Sequence, residues 1–473
     1  MQRFEYFSDD EVHKIHEATL RVLETVGVDF AYAPALDVFR KAGCKVDGQR
    51  VFLAPAMVMA QVAKAPSEFT LQARNPDRNV VIGGDHIAYI PCYGSPFVHD
   101  LDRGRRESIM EDYVNFVKLS HASRNIDITG GMMAEPNDIP HKRRNAEMMY
   151  ASLRYSDKPF MGGAIGGEAA RETIEMAAIA FGCSEKALAE KMPMISILCT
   201  RTPLSYDDRM LSAIMEYARA GMPQLISSLS IAGATSPVTM EGTLVVQNAE
   251  VLAGIVLTQL VGEGAPVVFS GSSSAAAMRY GTLSVGAPEM AVNTAATAQM
   301  ARFYGIPSRG GGAITDAKLP DAQAGMESMM SQLMATLSGV HFVLHSAGIL
   351  EGYMTASYEK FVIDDEIGGM CKRIKRGATV DPVHLALEVI AQVGPGGEYL
   401  THQHTFRNFR QALYTPIMEQ KESYAAWKEK GGETIEQAAN RKWKQILASY
   451  QEPRMPAEAL KDLERYMAKK YGA

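Results

Sequence analysis

Few side chains in this sequence have the type and spacing needed for acid–base, metal or covalent catalysis. Five charged or titratable residues lie at or just after short apolar segments: Arg201, Arg309, Asp316, His345 and Glu351. No three of them are histidines or carboxylates at metal-site spacing, and Ser270-Gly271-Ser272 lacks the G-x-S-x-G frame of a serine nucleophile. His-Glu-x-x-His, P-loop and GxGxxG motifs are also absent from the sequence. We therefore predict a site with little acid–base equipment and no bound metal.

The composition argues against several classes of protein. Of the 473 residues, 47% are hydrophobic and 22% are charged, which is typical of a globular protein and not of a disordered one. The net charge of −6 provides no extensive basic surface, so nucleic-acid binding is not expected. The five cysteines are scattered without a CxxC pair, which argues against a disulfide framework or a metal cluster. The sequence shows neither a secretory signal nor an uninterrupted apolar run of about 18 residues, so we expect a cytoplasmic protein without a membrane segment.

The elements that must position the candidate residues follow a regular order, in which eight short apolar segments alternate with eight helical stretches. The apolar segments are residues 87–93, 126–133, 159–165, 194–200, 224–231, 266–270, 306–314 and 340–346. The helical stretches are residues 108–121, 141–155, 168–181, 207–220, 240–261, 288–304, 322–337 and 357–376. This alternation predicts an α/β protein with a (β/α)8 TIM barrel over residues 86–377. A doubly wound sheet is the alternative, although it normally has fewer strands and a phosphate-binding first turn.

Mainly helical extensions are predicted on both sides of the barrel. Residues 1–85 begin with a helix, because Ser8 and Glu11 have the spacing of a capping box and Gly27 can end the helix. Residues 378–473 are predicted to form a helical C-terminal extension, with helices at 437–450 and 457–471.

In a TIM barrel the active site lies at the C-terminal ends of the strands, which form the mouth of the barrel. Here these ends are rich in glycine and serine, so we expect a wide mouth with accessible backbone. Tyr93 follows strand one, and His345 and Tyr353 follow strand eight. All three are also compatible with ordinary structural packing. Asp316 and Asp321 are equally compatible with capping the helix predicted to begin at residue 322.

Four stretches of sequence together resemble one known family. They are Gly286-Ala287-Pro288-Glu289 with residues 298–307, Thr315-Asp316 through Glu327, Ala347-Gly348 through Glu366, and Gly397-x-Tyr399-Leu400 with His404 to Arg407. Over nearly its whole length the chain resembles the trimethylamine:corrinoid methyltransferases. The founding members of that family carry pyrrolysine in the barrel, whereas this sequence has only standard residues. The resemblance is therefore to the branch without pyrrolysine, typified by glycine betaine:corrinoid methyltransferase.

The resemblance implies a TIM-barrel enzyme that moves a methyl group from a quaternary amine, glycine betaine first, to the Co(I) of a corrinoid (cobalamin). A separate corrinoid-binding protein would hold this acceptor, and a tertiary amine such as dimethylglycine would leave. Proline betaine, carnitine and γ-butyrobetaine are alternative substrates. A quaternary nitrogen leaves as a neutral amine and needs no proton donor, which agrees with the sparse acid–base inventory. A non-catalytic betaine-binding protein and a corrinoid-independent lyase or hydrolase remain alternatives.

The chemistry of a betaine substrate suggests roles for individual residues at the mouth, and the resemblance itself supports Tyr93, Gly310, His345 and Tyr353 at these positions. Tyr93 and Tyr353 would face the trimethylammonium group, since a cation binds well over aromatic rings. Arg309 and His345 would hold the carboxylate, and Gly310 would let the ligand or the corrinoid approach the backbone. Glu351 completes the predicted substrate-binding set, with Phe97 and Tyr358 as secondary candidates. No residue is expected to act as a catalytic acid or base, and the enzyme is expected to form a homo-oligomer.

Overall fold

The computed structural model describes residues 3–416, 418 and 420–472. Its strands are β1 (Val28–Phe30), β2 (Lys45–Asp47), β3 (Arg50–Phe52), β4 (Glu68–Leu71), β5 (Val80–Gly83), β6 (Ala88–Tyr89), β7 (Phe97–Asp100), β8 (Gly104–Glu107), β9 (Thr129–Gly130), β10 (Phe160–Met161), β11 (Met194–Cys199), β12 (Ser205–Tyr206), β13 (Gln224–Ser228), β14 (Ile231–Ala232), β15 (Val267–Gly271), β16 (Ser274–Ala277), β17 (Thr282–Ser284), β18 (Ser308–Gly311), β19 (Phe342–Leu344), β20 (Ile349–Leu350) and β21 (Thr355–Ser357).

The α-helices are α1 (Asp9–Thr25), α2 (Ala33–Lys41), α3 (Pro55–Val62), α4 (Met110–Ala122), α5 (His141–Tyr155), α6 (Gly167–Ala180), α7 (Glu185–Lys191), α8 (Asp208–Arg219), α9 (Met240–Val261), α10 (Pro288–Phe303), α11 (Ala322–Leu337), α12 (Tyr358–Arg376), α13 (Pro382–Leu385), α14 (Leu387–Val393), α15 (Gln403–Ala412), α16 (Tyr424–Glu429), α17 (Ile435–Ala448) and α18 (Ala457–Tyr471). A single 3-10 turn spans Pro76–Arg78 among the described residues.

Eight parallel strands form the central barrel and confirm the predicted fold class. Their order around the sheet is β6-β19-β18-β15-β13-β11-β10-β9, so strand one pairs with strand eight. Strands β6 and β9 share no ladder, but the Asp127 N–H donates to the Tyr89 carbonyl (2.8 Å) and closes this seam. The eight helices that follow the strands were predicted to within two residues at each end. The Ser8–Glu11 capping box that starts α1 is also present.

The N-terminal extension closes the bottom of the barrel, opposite the mouth. The hairpin of β4 and β5 places Phe69, Leu71 and Ile82 in one buried cluster with barrel side chains such as Ile195 and Phe342. Helices α1 and α3 pack against α9 on the outside of the barrel. The open end of the barrel is therefore the mouth alone, while the predicted boundaries at residues 85 and 377 stay a prediction.

Helix α9 is long and apolar enough to cross a membrane, by length and composition only. Its most apolar 18-residue window is 78% buried inside the molecule, where the helix packs between α1, α3 and β13. A core helix of a globular protein meets the same criterion, so this helix is weak evidence for a membrane span.

The mouth carries two small sheets that the sequence pattern did not predict. One sheet has the order β20-β21-β7-β8 and covers the ends of strands one and eight. The other has the order β14-β16-β17 and projects from the ends of strands five and six. Together they form a rim around the site.

Candidate active site

Three of the six predicted site residues lie close to one another in the mouth of the barrel, and a fourth, Tyr93, lies at the end of strand one. Arg309 belongs to β18, His345 directly follows β19, and Tyr353 lies in the turn between β20 and β21. The rings of His345 and Tyr353 pack with their centroids 4.6 Å apart, and the charge of Arg309 influences both groups. Tyr93 follows β6 and is close enough to Cys199, at the end of strand four, to interact with it electrostatically.

Arg309 is a buried cation without an anionic partner. Its side chain is only 1% exposed, and Nη1 donates to the Gly271 carbonyl at 3.3 Å. Its Nε has no hydrogen-bond acceptor, and no carboxylate forms an ion pair with it in the described part of the chain. Burial lowers the pKa of Arg309, but a guanidinium keeps its proton in a protein. A buried charge left unpaired is costly, so this position favours a ligand that carries a negative charge.

His345 and Tyr353 add two buried polar atoms that lack partners, His345 Nδ1 and the Tyr353 hydroxyl. Burial, reinforced by the charge of Arg309, holds the pKa of His345 well below its usual range, so the ring is neutral near pH 7. Burial raises the pKa of Tyr353 to about 12, so its hydroxyl keeps its proton. Both groups can therefore donate a hydrogen bond to an acceptor placed beside Arg309.

The backbone around these residues is strained. His345, Glu351 and Tyr353 have φ values of 63°, 56° and 77°, in the left-handed region that side chains other than glycine rarely adopt. Such strain persists where the surrounding structure fixes it, and it clusters at functional sites. Here the Ser95 hydroxyl donates to the Tyr353 carbonyl at 2.9 Å and helps to hold the turn.

Lys360 and Asp364 on α12 form a fully buried ion pair behind strand eight. Lys360 Nζ lies 2.6 and 2.7 Å from the two Asp364 oxygens and also donates to the Ala313 carbonyl. Asp364 in turn accepts the Gly348 N–H at 2.8 Å. The pair therefore ties the end of strand seven to the turn that follows His345.

Cys199 is a site residue that the sequence analysis missed. It ends β11 and keeps solvent-accessible surface although surrounding protein atoms partly desolvate its thiol, so it borders the recessed open space of the mouth. It is close enough to Arg309 and Tyr93 to interact electrostatically with both. Its position at the end of the fourth apolar segment is a signal for the site, whereas its residue type indicates only possible pairing or metal binding.

Tyr93 packs against strand two through a glycine. A Cβ atom on Gly131 would lie 2.8 Å from the Tyr93 ring, and Gly131 has a φ of +72°. Only glycine fits this conformation and this close approach. The glycines at the mouth thus include positions that make room for a site side chain.

Glu351 and Gly310 are not brought into this group by the structure. The Glu351 carboxylate accepts hydrogen bonds from Arg105 Nε (2.8 Å) and the Thr355 hydroxyl (2.7 Å). These two bonds outweigh the effect of burial and lower the pKa of Glu351. A Cβ on Gly310 would lie 2.7 Å from Thr294 Cγ2 on α10, so the open side of this glycine faces the helix layer.

The two secondary candidates also have structural partners. Phe97 lies under the Arg105 guanidinium, 3.7 Å from ring centroid to Cζ. The Tyr358 hydroxyl donates to Asp112 at 2.9 Å, in the packing between α12 and α4. Neither contact places these rings in the group formed by Arg309, His345 and Tyr353.

The aspartates after strand seven have two different structural roles. Asp321 caps α11 by accepting the Ala324 N–H at 3.1 Å, as predicted. The alternative of a helix cap is wrong for Asp316, which accepts hydrogen bonds from the Ser284 hydroxyl and the backbone N–H groups of Val285 and Gly286. Asp316 therefore ties the β14-β16-β17 rim sheet to strand seven.

No group of three or more His, Cys, Asp or Glu side chains in the described ranges is arranged to hold a metal ion. The polar atoms at the mouth are instead nitrogen donors and hydroxyls, which suit an organic anion.

Comparison with known proteins gives consistent results along the whole chain. Residues 1–472 match the family described as Trimethylamine methyltransferase (MTTB). The chain is 48% identical over 470 residues to a glycine betaine methyltransferase of Desulfitobacterium hafniense (strain Y51), covering 99% of this chain and 98% of the relative. It is 32% identical over 421 residues to a proline betaine:corrinoid methyltransferase of Eubacterium limosum, covering 86% and 85%.

A solved structure supports the architecture. The monomethylamine methyltransferase of Methanosarcina barkeri (MtmB) matches with a TM-score of 0.55 and 12% identity, covering 94% of this chain and 89% of that one. At this identity the match shows the fold alone. The family match over residues 1–472, with the 48% identity to the glycine betaine methyltransferase, establishes that the chain belongs to the trimethylamine methyltransferase (MTTB) family.

Proposed function

We propose that this enzyme transfers a methyl group from a betaine, glycine betaine first, to the Co(I) of a corrinoid carried by a partner protein. The observation that carries the choice of substrate is Arg309, a buried cation with an unpartnered Nε and no carboxylate paired with it. A betaine supplies the missing carboxylate within the same molecule as its methylated nitrogen. Trimethylamine, which has no carboxylate, would leave this charge unpaired.

The roles of the other residues follow from the same arrangement. Neutral His345 and protonated Tyr353 would add hydrogen bonds to the carboxylate, and the faces of the Tyr93 and Tyr353 rings would receive the trimethylammonium group. The protein would act by orienting one methyl group toward the mouth and by excluding water around it. The corrinoid supplies a Co(I) nucleophile for this methyl group, and the amine leaves with its electron pair, so no proton moves.

The partner protein is proposed to dock on the rim of the mouth. Val238 and Met278 are 70% and 74% exposed, and both lie within 4 Å of the position that a Cβ on Gly233 would take. Tyr280 lies in the turn between β16 and β17 and is equally exposed. Methionine adapts to different surfaces, which suits a transient contact with a protein that must also leave. We further propose that the acceptor is a cobalamin and that the enzyme is a cytoplasmic homo-oligomer.

The reaction is tested with free cob(I)alamin under reducing, oxygen-free conditions. Adding enzyme and glycine betaine should convert the Co(I) absorbance to that of methylcobalamin, with dimethylglycine formed in equal amount. Choline is the control without a carboxylate and should react at least about tenfold more slowly. Proline betaine, carnitine and γ-butyrobetaine run in parallel identify the preferred betaine. Binding of a betaine without any methyl transfer would indicate a binding protein, and reaction with none of the four would refute the proposal.

A further inference from the structure

The most exposed apolar surface of the molecule lies on a segment that leaves the barrel and returns to the same point. Residues 378–411, here called the arm, contain α13, α14 and most of α15. At its root Arg376 donates to the Gln411 carbonyl at 2.8 Å, so its two ends are adjacent. No residue of the arm is buried. Its hydrogen bonds, over residues 378–410, stay within the arm and its root in the described structure.

The composition of the arm does not suit exposure to water. Nine of its large apolar side chains are exposed: Val380, Val383, Leu385, Leu387, Ile390, Tyr399, Leu400, Phe406 and Phe409. Leu400 and Phe406 are 81% and 79% exposed. Folded monomers rarely leave an apolar surface of this extent uncovered, and such surfaces mark interaction sites.

The helices of the arm also lack the contacts that short helices need. They have 4, 7 and 10 residues, and helices of this length are marginal in water without tertiary packing. None of the three makes an extended contact with another helix or strand of the described chain. The arm therefore requires a surface outside this chain to cover it.

The position of the arm argues against the corrinoid-binding protein as that surface. Helix α12 starts beside the mouth and runs to the bottom of the barrel, where Lys375 donates to the Asp85 carbonyl just before strand one. The arm leaves from this lower end, which β4 and β5 close. A partner that delivers a methyl acceptor to the mouth would therefore not cover the arm. This inference rests on the proposed function.

Charge favours a second copy of this chain. Most of the arm, residues 378–406, contains three acidic residues, Asp381, Glu388 and Glu398, and no lysine or arginine, while Arg407 and Arg410 lie near the root. A groove beside the root is lined by cationic side chains, namely Arg124, Lys372, Arg373, Arg376 and Arg410. A two-fold symmetric pair would bring the acidic part of each arm, residues 378–406, against the basic root of the other copy. A membrane surface fits less well, because helices that bind anionic lipid carry lysine and arginine on their polar face.

We propose that the arm is the self-association surface of the enzyme and packs against the arm and root of a second copy. Two arms brought together cover the exposed apolar side chains of both, while both mouths stay open to the corrinoid carrier. The contact thus assembles the oligomer without using the catalytic end.

The test is sedimentation velocity of the full chain at micromolar concentrations. The wild type should sediment as a dimer or larger assembly, and the variant Leu400→Asp with Phe406→Asp should sediment as a monomer. Two lost apolar anchors should weaken self-association by roughly 100-fold or more. The matched control is Val238→Asp with Met278→Asp, equally exposed on the rim, which should keep the wild-type assembly. A second variant replaces residues 379–410 by a short glycine–serine linker. Such a linker can span the gap because the two ends of the arm are adjacent.

Calorimetry with glycine betaine separates this proposal from the proposed function. The arm variants should bind the betaine within about twofold of the wild type, because the arm lies at the opposite end from the mouth. If no form of the protein binds a betaine, the proposed function fails while the sedimentation result still stands. A monomeric wild type, or an arm variant that keeps the wild-type assembly, would overturn the proposal. A monomeric wild type that floats with phosphatidylcholine–phosphatidylglycerol vesicles would also overturn it and assign the arm to a membrane surface.

Discussion

Replacing Arg309 by methionine should stabilise the empty protein and at the same time abolish tight betaine binding. The side chain is 1% exposed, its Nε lacks an acceptor, and no carboxylate pairs with it among the described residues. An unpaired charge in such a place costs stability, so a neutral side chain of similar length should raise the Tm of the ligand-free enzyme. Most buried arginines behave oppositely, because they have partners that the substitution would orphan.

The expected loss of binding follows from the bonds that a carboxylate would make there. A buried charge-assisted hydrogen bond contributes about 2–3 kcal/mol, which corresponds to roughly 30- to 150-fold in Kd. Calorimetric titration with glycine betaine measures this loss. Thermal denaturation with and without glycine betaine measures the change in Tm, and the stabilisation by ligand should shrink in parallel.

Two comparisons make the result specific. Choline has the same trimethylammonium group without a carboxylate, so its weaker binding should not suffer from Arg309→Met. Arg201 is an exposed arginine at the end of strand four, and Arg201→Met should leave the affinity for glycine betaine unchanged. If Arg309→Met lowers the Tm of the empty protein and weakens choline and glycine betaine equally, then Arg309 supports the fold and the carboxylate argument fails.

Three further outcomes test the rest of the site. Tyr353→Leu should weaken glycine betaine binding about fivefold or more in the same titration, in line with the loss of a cation–π contact. Tyr353→Phe keeps the ring and loses only the hydroxyl hydrogen bond to the carboxylate, so it should weaken glycine betaine by a smaller factor and leave choline binding unchanged. Iodoacetamide should inactivate the enzyme at Cys199 faster as pH rises toward 9, because the pKa of this thiol is raised by burial. Saturating glycine betaine should slow the inactivation, and the variant Cys199→Ser should resist it. The pKa of His345 is lowered on folding from about 6.5, so the unfolded chain binds a proton that the folded one refuses, and stability is lost as pH falls below 6.5. The Tm of the wild type should therefore drop more steeply between pH 7 and 5 than that of His345→Gln, and equal slopes would show that His345 does not titrate in this way.

Helices were easier to predict from this sequence than strands. The helices at 141–155, 240–261, 322–337 and 457–471 begin and end where predicted, since proline, capping residues and helical periodicity agree there. The second apolar segment was predicted over residues 126–133, but β9 pairs only at Thr129–Gly130. Gly130 and Gly131 adopt positive φ and end the ladder while the apolar residues continue. An apolar segment indicates which residues are buried, and the buried stretch is longer than the part of the strand that pairs with its neighbours.

The small rim sheets escaped prediction for a related reason. The hairpin of β7 and β8 is rich in charged residues and lacks the apolar–polar alternation that indicates a strand. It is held by ion pairs instead, including Arg106 with both Asp112 oxygens at 2.6 Å. Interactions of this kind depend on residues that the fold brings together, and no local pattern shows them.

At the site, strand-end position placed Arg309, His345 and Tyr353 at the mouth, where the structure brings them together, while the substrate-binding role of the predicted set stays a prediction. It could not tell on which side of the strand or turn a residue points. Gly310 is adjacent to Arg309, and successive residues of a strand face opposite sides, so a site at Arg309 leaves Gly310 toward the helices. Cys199 is the opposite case. Its position at the end of strand four places it at the mouth, although its residue type suggested no role in the site.

Glu351 shows how a residue at the right position can serve the site without touching a ligand. It lies two residues before Tyr353, and both have left-handed backbone that costs of order 1–3 kcal/mol each. Its carboxylate accepts hydrogen bonds from Arg105 of β8 and Thr355 of β21 at 2.8 and 2.7 Å. These bonds offset the strain and fix the turn, and the turn fixes the Tyr353 ring against His345. Charged side chains of the rim, which the sequence pattern did not predict, therefore hold the ring of Tyr353, which the sequence did predict as a site residue.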